Sequence, residues 1–205
     1  MHRQTFEEIT DKKCKKEYIE WLRLWCENTS SRLPRVALIG DSIVEQVFED
    51  VKKALDGVAI VDFLATSYSI ASPAYTTMVN AFVEDSDYAV VYFNYGLHAP
   101  CVSIAEYEAA YRKMVLGLLK KSKVLLGSTT TVNTQNAVVT MKMVDARNAC
   151  ARKIAVELGL PMDDSYAISE EMGASGKNED GVHFNEGGKA RLAKHRAELI
   201  KTLLK

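Results

Sequence analysis

Residues 36–63 read VALIGDSIVEQVFEDVKKALDGVAIVDF, and this stretch decides the fold. Val36-Ala37-Leu38-Ile39 is apolar without interruption and stops at Gly40, the pattern of a short strand buried on both faces. Over 43–56, Val44, Val47, Val51 and Leu55 fall on one face of a helix, and Gly57 supplies the stop signal. Val58 to Phe63 then forms a second strand. Further along, Pro73 opens another helix, Tyr88 to Phe93 is a third strand, and Ile104 to Leu119 a long helix. Val124-Leu125-Leu126 is a fourth strand, 138–158 a helix ended by Gly159, Pro161-Met162 a short fifth element, and Glu186 to Leu204 a closing helix. Apolar strands alternating with helices predict a three-layer α/β/α sandwich with about five parallel strands, forming one domain over 35–205. Ahead of it, residues 1–34 read as a lead-in. CKKEYIEWLRLWCEN (14–28) places Tyr18, Leu22 and Trp25 on one stripe, which predicts an amphipathic helix packed on the domain. A homodimer contact and a wall of the substrate cleft are the other uses of that stripe. Ser30, Ser31 and Pro34 mark the turn after it.

Composition removes several classes of function. The chain has 205 residues, with 26 Lys plus Arg against 27 Asp plus Glu, so its formal net charge of -1 argues against a nucleic-acid partner. No apolar run approaches the ~18 residues of a membrane span. The first twenty residues are strongly charged and lack the apolar core of a secretory signal. Cys14, Cys26, Cys101 and Cys150 contain no CxxC pair and read as reduced thiols, so a cytoplasmic location is expected.

In a parallel sheet of this kind, ligands sit at the carboxyl ends of the strands. Asp41 and Ser42 follow the first strand, Ser67 the second, Asn94 to His98 the third and Ser128 to Thr131 the fourth, while Asp180 and His183 lie in the last long loop. All are expected on one rim. Ser42 at a strand-to-helix turn presents its hydroxyl there, with its N–H at a helix N-terminus where it can meet a developing oxyanion. A helix cap is the competing role for Ser42, since Glu45 three residues on would complete a capping box. Asp180-Gly181-Val182-His183 puts a carboxylate and an imidazole where a tight bend can set them side by side. His183 would then take the Ser42 proton while Asp180 fixes its tautomer. His195, beside Lys194 and Arg196, reads as a solvated helix face, and His2 as terminal.

Gly40-Asp41-Ser42-Ile43 together with Asp180-Gly181-Val182-His183-Phe184 resembles the SGNH/GDSL hydrolase superfamily, over about residues 35–204. The resemblance implies a flavodoxin-like sheet and a serine esterase, lipase or thioesterase activity. It makes Ser42 the nucleophile, His183 the general base and Asp180 its orienting acid, with no metal or organic cofactor. It also implies an oxyanion hole built from the Ser42 N–H, a backbone N–H after the second strand and an Asn side chain after the third. Two blocks depart from that pattern. The loop Leu64-Ala65-Thr66-Ser67-Tyr68-Ser69 has no glycine, which leaves Ser67 as the backbone donor. The third block reads Asn94-Tyr95-Gly96-Leu97-His98, similar to a subgroup of the superfamily, and offers either Asn94 or His98 as the side-chain donor, Asn94 being slightly preferred because an amide donates at any pH. Tyr68, Tyr95 and Thr130 are the expected substrate walls, and Tyr92 belongs to the core. Asn148 either ties down the catalytic loop or is solvated, and Asp164 caps a local turn.

The resulting expectation is a small-acyl esterase acting on a sugar or similar polyol, a neutral small-molecule substrate that suits the near-zero charge. Lipase or thioesterase chemistry and a non-catalytic binding module on the same fold are the alternatives. A metal site from Asp41, His98, Asp180 and His183 is a weaker one, because no HxxxH or paired ligand signature is present.

Overall fold

The computed structural model describes residues 16, 17, 19–133 and 139–205. Cys14 and Tyr18 of the expected lead-in helix, His2, and position 138 of the expected fourth helix lie outside them. In chain order the elements are β1 (Leu22–Trp25), β2 (Arg35–Gly40), α1 (Ser42–Ala54), β3 (Ile60–Thr66), α2 (Pro73–Glu84), β4 (Tyr88–Phe93), α3 (Ile104–Leu118) and β5 (Lys123–Gly127). Next come α4 (Met141–Leu158), β6 (Met162–Asp163), α5 (Ser165–Met172), a 3₁₀ turn (Gly173–Gly176) and α6 (Glu186–Leu204).

One six-stranded sheet runs β1-β3-β2-β4-β5-β6, and β2 to β6 are mutually parallel. These are the five strands expected. β2 is central, which explains why Val36, Ala37, Leu38 and Ile39 are all fully buried. Their side chains alternate between two cores. Val36 and Leu38 join the layer filled by Val44, Phe48 and Leu192 from α1 and α6, while Ala37 and Ile39 join the layer filled by Val79, Tyr111 and Ile154 from α2, α3 and α4.

The lead-in is the main correction to the fold. Leu22–Trp25 is an antiparallel edge strand on β3, pairing Leu22 with Thr66 and Trp25 with Phe63, and not a helix. The sequence Leu-Arg-Leu-Trp fits a period of two as well as one turn of a helix, and tertiary hydrogen bonds decide between them. At one end Thr66 Oγ1 donates to Trp21 O (2.5 Å) and Trp21 N–H donates to Ser67 Oγ (2.8 Å). At the other, Glu27 N–H donates to Asp62 Oδ1 (2.9 Å), while Arg35 bridges Asp62 (2.6 Å) and Glu27 O (2.6 Å). The strand therefore belongs to the sheet of the domain that follows it.

A second ion pair is hidden beneath the other edge. Arg196 of α6 is 1% exposed and donates from Nε to Asp163 Oδ2 at 3.0 Å, with its guanidinium 3.9 Å from the centre of the Tyr92 ring. His195 is only partly solvated, with Nε2 3.6 Å from Asp163 Oδ1. α5 was not expected from the sequence. Asp164 caps it by accepting the Ala167 N–H (3.2 Å), the local capping role anticipated for that residue.

Candidate active site

The turn from β2 into α1 is built around Asp41, not Ser42. Asp41 is the N-cap, accepting the Ile43 N–H on Oδ1 (3.0 Å) and the Val44 and Glu45 N–H groups on its carbonyl (3.0 and 3.1 Å). The capping role considered for Ser42 thus belongs to its neighbour. Ser42 becomes the first residue of the helix, half-buried, with an N–H that the cap leaves untaken at the positive end of the helix. The change of direction requires Gly40, because a Cβ there would lie 2.3 Å from Val44 Cγ2.

Opposite stands the loop from Lys177 to Phe184. Gly181 takes φ +69, a left-handed conformation that only glycine adopts without strain. This lets Asp180 Oδ1 accept two N–H groups, of Val182 and of His183, each at 2.9 Å. The other carboxylate oxygen, Oδ2, is 2.6 Å from His183 Nδ1, and His183 Nε2 is 2.8 Å from Ser42 Oγ. Gln46, one turn after Ser42 on α1, accepts the Phe184 N–H on Oε1 (3.1 Å), so the helix that carries the serine also registers the loop that carries the histidine.

Partial burial by itself would raise the Asp180 pKa, but the bonds from His183 and the two backbone N–H groups outweigh it and bring the carboxyl down to about 2. A depressed carboxyl pKa stabilises the fold fully above its ordinary value near ~4, and that contribution is lost as pH falls through the folded value. Carbon-13 NMR of the Asp180 carboxyl is expected to titrate near 2. A midpoint at about 4 would contradict the pairing with His183.

Two of the four expected oxyanion donors are committed elsewhere. The Ser67 N–H donates to Trp21 O (3.2 Å), and the Ser67 hydroxyl donates to Glu20 Oε2 (2.8 Å), so Ser67 anchors the lead-in strand and has no N–H to offer. Asn94 is buried, and its amide donates to Gly127 O (2.9 Å) and Thr129 Oγ1 (3.4 Å), fastening the end of β4 to the end of β5. The preference for Asn94 is therefore corrected. What remains uncommitted is the Ser42 N–H and Nε2 of His98, which has no hydrogen-bond partner but is enclosed, so that a ligand reaches it only if the loop shifts. His98 Nδ1 lies 2.9 Å from Glu17 Oε1, which also accepts the Ala99 N–H (3.0 Å), and the Trp21 ring stands edge-on to the imidazole at 5.9 Å. Burial disfavours an imidazolium here, but Glu17, with Asp41 and Glu20 nearby, overcomes that and raises the His98 pKa above the ordinary value.

The loop holding His98 rests on a residue the sequence reading missed. Arg147 of α4, 2% exposed, donates from Nη1 to Gly96 O (3.0 Å) and His98 O (2.5 Å) and from Nη2 to Ala99 O (2.7 Å), and lies over the Tyr107 ring at 5.0 Å. A lone arginine on the apolar stripe Val144–Ala151–Ile154 was the signal. Ala99, at φ 53, is the non-glycine residue forced into the left-handed region at this corner. Asn148 is buried rather than solvated, but it clasps Thr129 beyond β5 and not the loop of Asp180 and His183, accepting the Thr129 N–H and donating to its carbonyl, both at 2.8 Å. Gly96 must be glycine, because a Cβ would fall 1.8 Å from Thr129 Oγ1.

The expected substrate walls are also revised. Tyr95 is 1% exposed and packs edge-on against Tyr75 with ring centres 5.3 Å apart, so it is core. Thr130 is 2% exposed, its hydroxyl enclosed beneath the rim, and it presents no surface to a ligand. Tyr68 is half-buried and keeps an accessible face. Among the described residues, no three His, Cys, Asp or Glu side chains converge as metal ligands, and no helix is long and apolar enough to cross a membrane.

The chain has the fold of the SGNH hydrolases. It superposes on a lipase/acylhydrolase from Enterococcus faecalis with a TM-score of 0.68 and 16% identity, over 83% of this chain and 96% of that one. A proposed SGNH hydrolase from Slackia heliotrinireducens matches with a TM-score of 0.67 and 16% identity, over 82% of this chain and 100% of the other. An acetylxylan esterase from Geobacillus stearothermophilus matches with a TM-score of 0.63 and 18% identity, over 82% and 93%. No protein-family profile and no curated protein sequence matches the chain.

Proposed function

We propose that the protein is a carboxylic ester hydrolase that works through an acyl-enzyme on Ser42. The observation that carries this reading is the unbroken series Asp180 Oδ2, His183 Nδ1, His183 Nε2, Ser42 Oγ, with steps of 2.6 and 2.8 Å across the imidazole. His183 Nε2 takes the hydroxyl proton as Oγ bonds to the ester carbonyl carbon. The carbonyl oxygen becomes an oxyanion, for which the Ser42 N–H is the uncommitted donor, and His98 Nε2 joins it only when the ring carries a proton on both nitrogens. Collapse breaks the bond to the alkoxy oxygen, which leaves with the proton from His183. A water, deprotonated by His183, then bonds to the acyl carbon, and collapse breaks the bond to Ser42 Oγ, which takes that proton back from His183 as the carboxylic acid leaves.

The acyl group we propose is small, of acetyl type, on a sugar or similar polyol. Acetylxylan esterases among the similar folds support this. The test is a series of nitrophenyl esters of increasing acyl length, alongside acetate release from acetylated xylooligosaccharides. Turnover is expected to fall steeply beyond about four acyl carbons, each extra methylene being worth ~1 kcal/mol or more of fit or clash. A preference for eight-carbon or longer chains would overturn the small-acyl reading in favour of a lipase. Absence of hydrolysis on every ester, with no fluorophosphonate labelling of Ser42, would favour a binding module.

A further inference from the structure

Lys177 stands behind the loop that carries Asp180 and His183 and is buried. Its Nζ donates to Thr131 O (2.7 Å), just beyond β5, and to Val182 O (3.4 Å), inside the loop, and sits 4.0 Å from the centre of the Phe184 ring. The backbone around it is already folded into a narrow hairpin: Lys177 and Phe184 form an antiparallel bridge, Asn178 N–H donates to His183 O (2.9 Å), and Asn133 N–H donates to Gly181 O (2.7 Å). One amine thus joins the strand end, the loop interior and the residue following His183.

We propose that Lys177 is a positioning residue whose charged amine fixes the Asp180–His183 loop against the end of β5 and so holds His183 Nε2 over Ser42. The inference rests on the hydrolase reading above. A charge-assisted bond to a carbonyl is about twice as strong as a neutral one, and the face of Phe184 attracts a cation but not a neutral amine. Both contacts weaken when the proton leaves. The groups bearing on the amine are the Thr131 and Val182 carbonyls, the Phe184 ring and the Asp180 carboxylate, with Glu179 exposed in the same loop. Burial pushes the Lys177 pKa down to about 8, and Asp180 opposes that shift without overcoming it. The clamp is consequently charged at neutral pH and lost in mildly alkaline solution. A lysine pKa depressed in the folded state makes the fold more stable, not less, as pH rises from about 8 towards the ordinary value near ~10.4. Activity falls there while this group leaves the fold intact.

The experiment compares pH–rate profiles of the wild type, Lys177→Met and Lys177→Arg on a short-chain ester, together with amide hydrogen exchange of residues 178–184. Lys177→Met is expected to lower kcat by roughly 10-fold near pH 7, with KM changed by less than about 3-fold, because a displaced base slows chemistry more than binding. It should also speed exchange in the loop. Lys177→Arg, which keeps its charge at any accessible pH, should retain kcat within about 3-fold and hold it past about pH 9. Wild-type kcat and unchanged exchange in Lys177→Met, or an unmoved alkaline limb in Lys177→Arg, would overturn the inference. If Lys177→Met does not fold, the arginine profile alone decides. Ser42→Ala retaining full activity would instead overturn the hydrolase reading, and loop exchange would still report on Lys177 by itself.

Discussion

Ser42→Ala is expected to lower kcat for ester hydrolysis by on the order of 10⁴-fold or more while leaving thermal stability nearly unchanged. The substitution removes the nucleophilic oxygen and the acceptor of the His183 bond, but alanine is a good residue for the first turn of a helix and the Asp41 cap is untouched. His183→Ala should produce a loss of similar size, and the double variant should be no worse than either single one, since the two groups act as a unit. Turnover and melting temperature measured on the same preparations check this. Ser42→Ala with more than about a tenth of wild-type turnover would exclude an acyl-enzyme on this serine. So would additive losses in the double variant.

The largest effect on stability is expected from Arg147→Met. The guanidinium satisfies the carbonyls of Gly96, His98 and Ala99, and methionine would leave those of Gly96 and His98 without this donor, while Ala99 O keeps the Val102 N–H (3.1 Å). At about 1–3 kcal/mol for each of the two unsatisfied groups, the loss should be roughly 2–4 kcal/mol after local relaxation, which lowers the melting temperature by on the order of 10 °C in a protein of this size. The corner at Ala99 would relax from its left-handed conformation and carry His98 away from Glu17, so activity should fall along with stability. Arg147→Lys should recover only part of both, because an ammonium cannot reproduce a planar fork spanning three carbonyls. Melting curves and turnover for the pair test it, and a stable, active methionine variant would show that the loop holds its shape unaided.

The parts of this molecule legible from residues alone share one property: they are local patterns. The uninterrupted apolar run at Val36–Ile39, the helical period from Val44 to Leu55 and their repetition along the chain specify a doubly covered parallel sheet, because burial on two faces permits no other side chains. Gly40-Asp41-Ser42 and Asp180-Gly181-Val182-His183 are likewise short local segments, in which the backbone itself asks for Gly40, for the Asp41 cap and for Gly181. The lead-in was misread because Leu22 to Trp25 is too short to separate a period of two from one of 3.6, and the hydrogen bonds of Thr66, Ser67 and Asp62 made the choice.

The donors of the site show the other limit. Ser67, Asn94 and His98 stand at the ends of strands where donors are needed, yet an N–H is directed by whichever acceptor lies nearest in space, and for Ser67 and Asn94 that acceptor is within the protein. Arg147, Gln46 and Lys177 act across 51, 138 and 46 residues of chain, separations over which no sequence period extends. Hydrophobic period follows from the chain itself and settled the layers and the rim. Hydrogen-bond partnership follows from the packed fold, and it alone decided which polar groups on that rim are free to act.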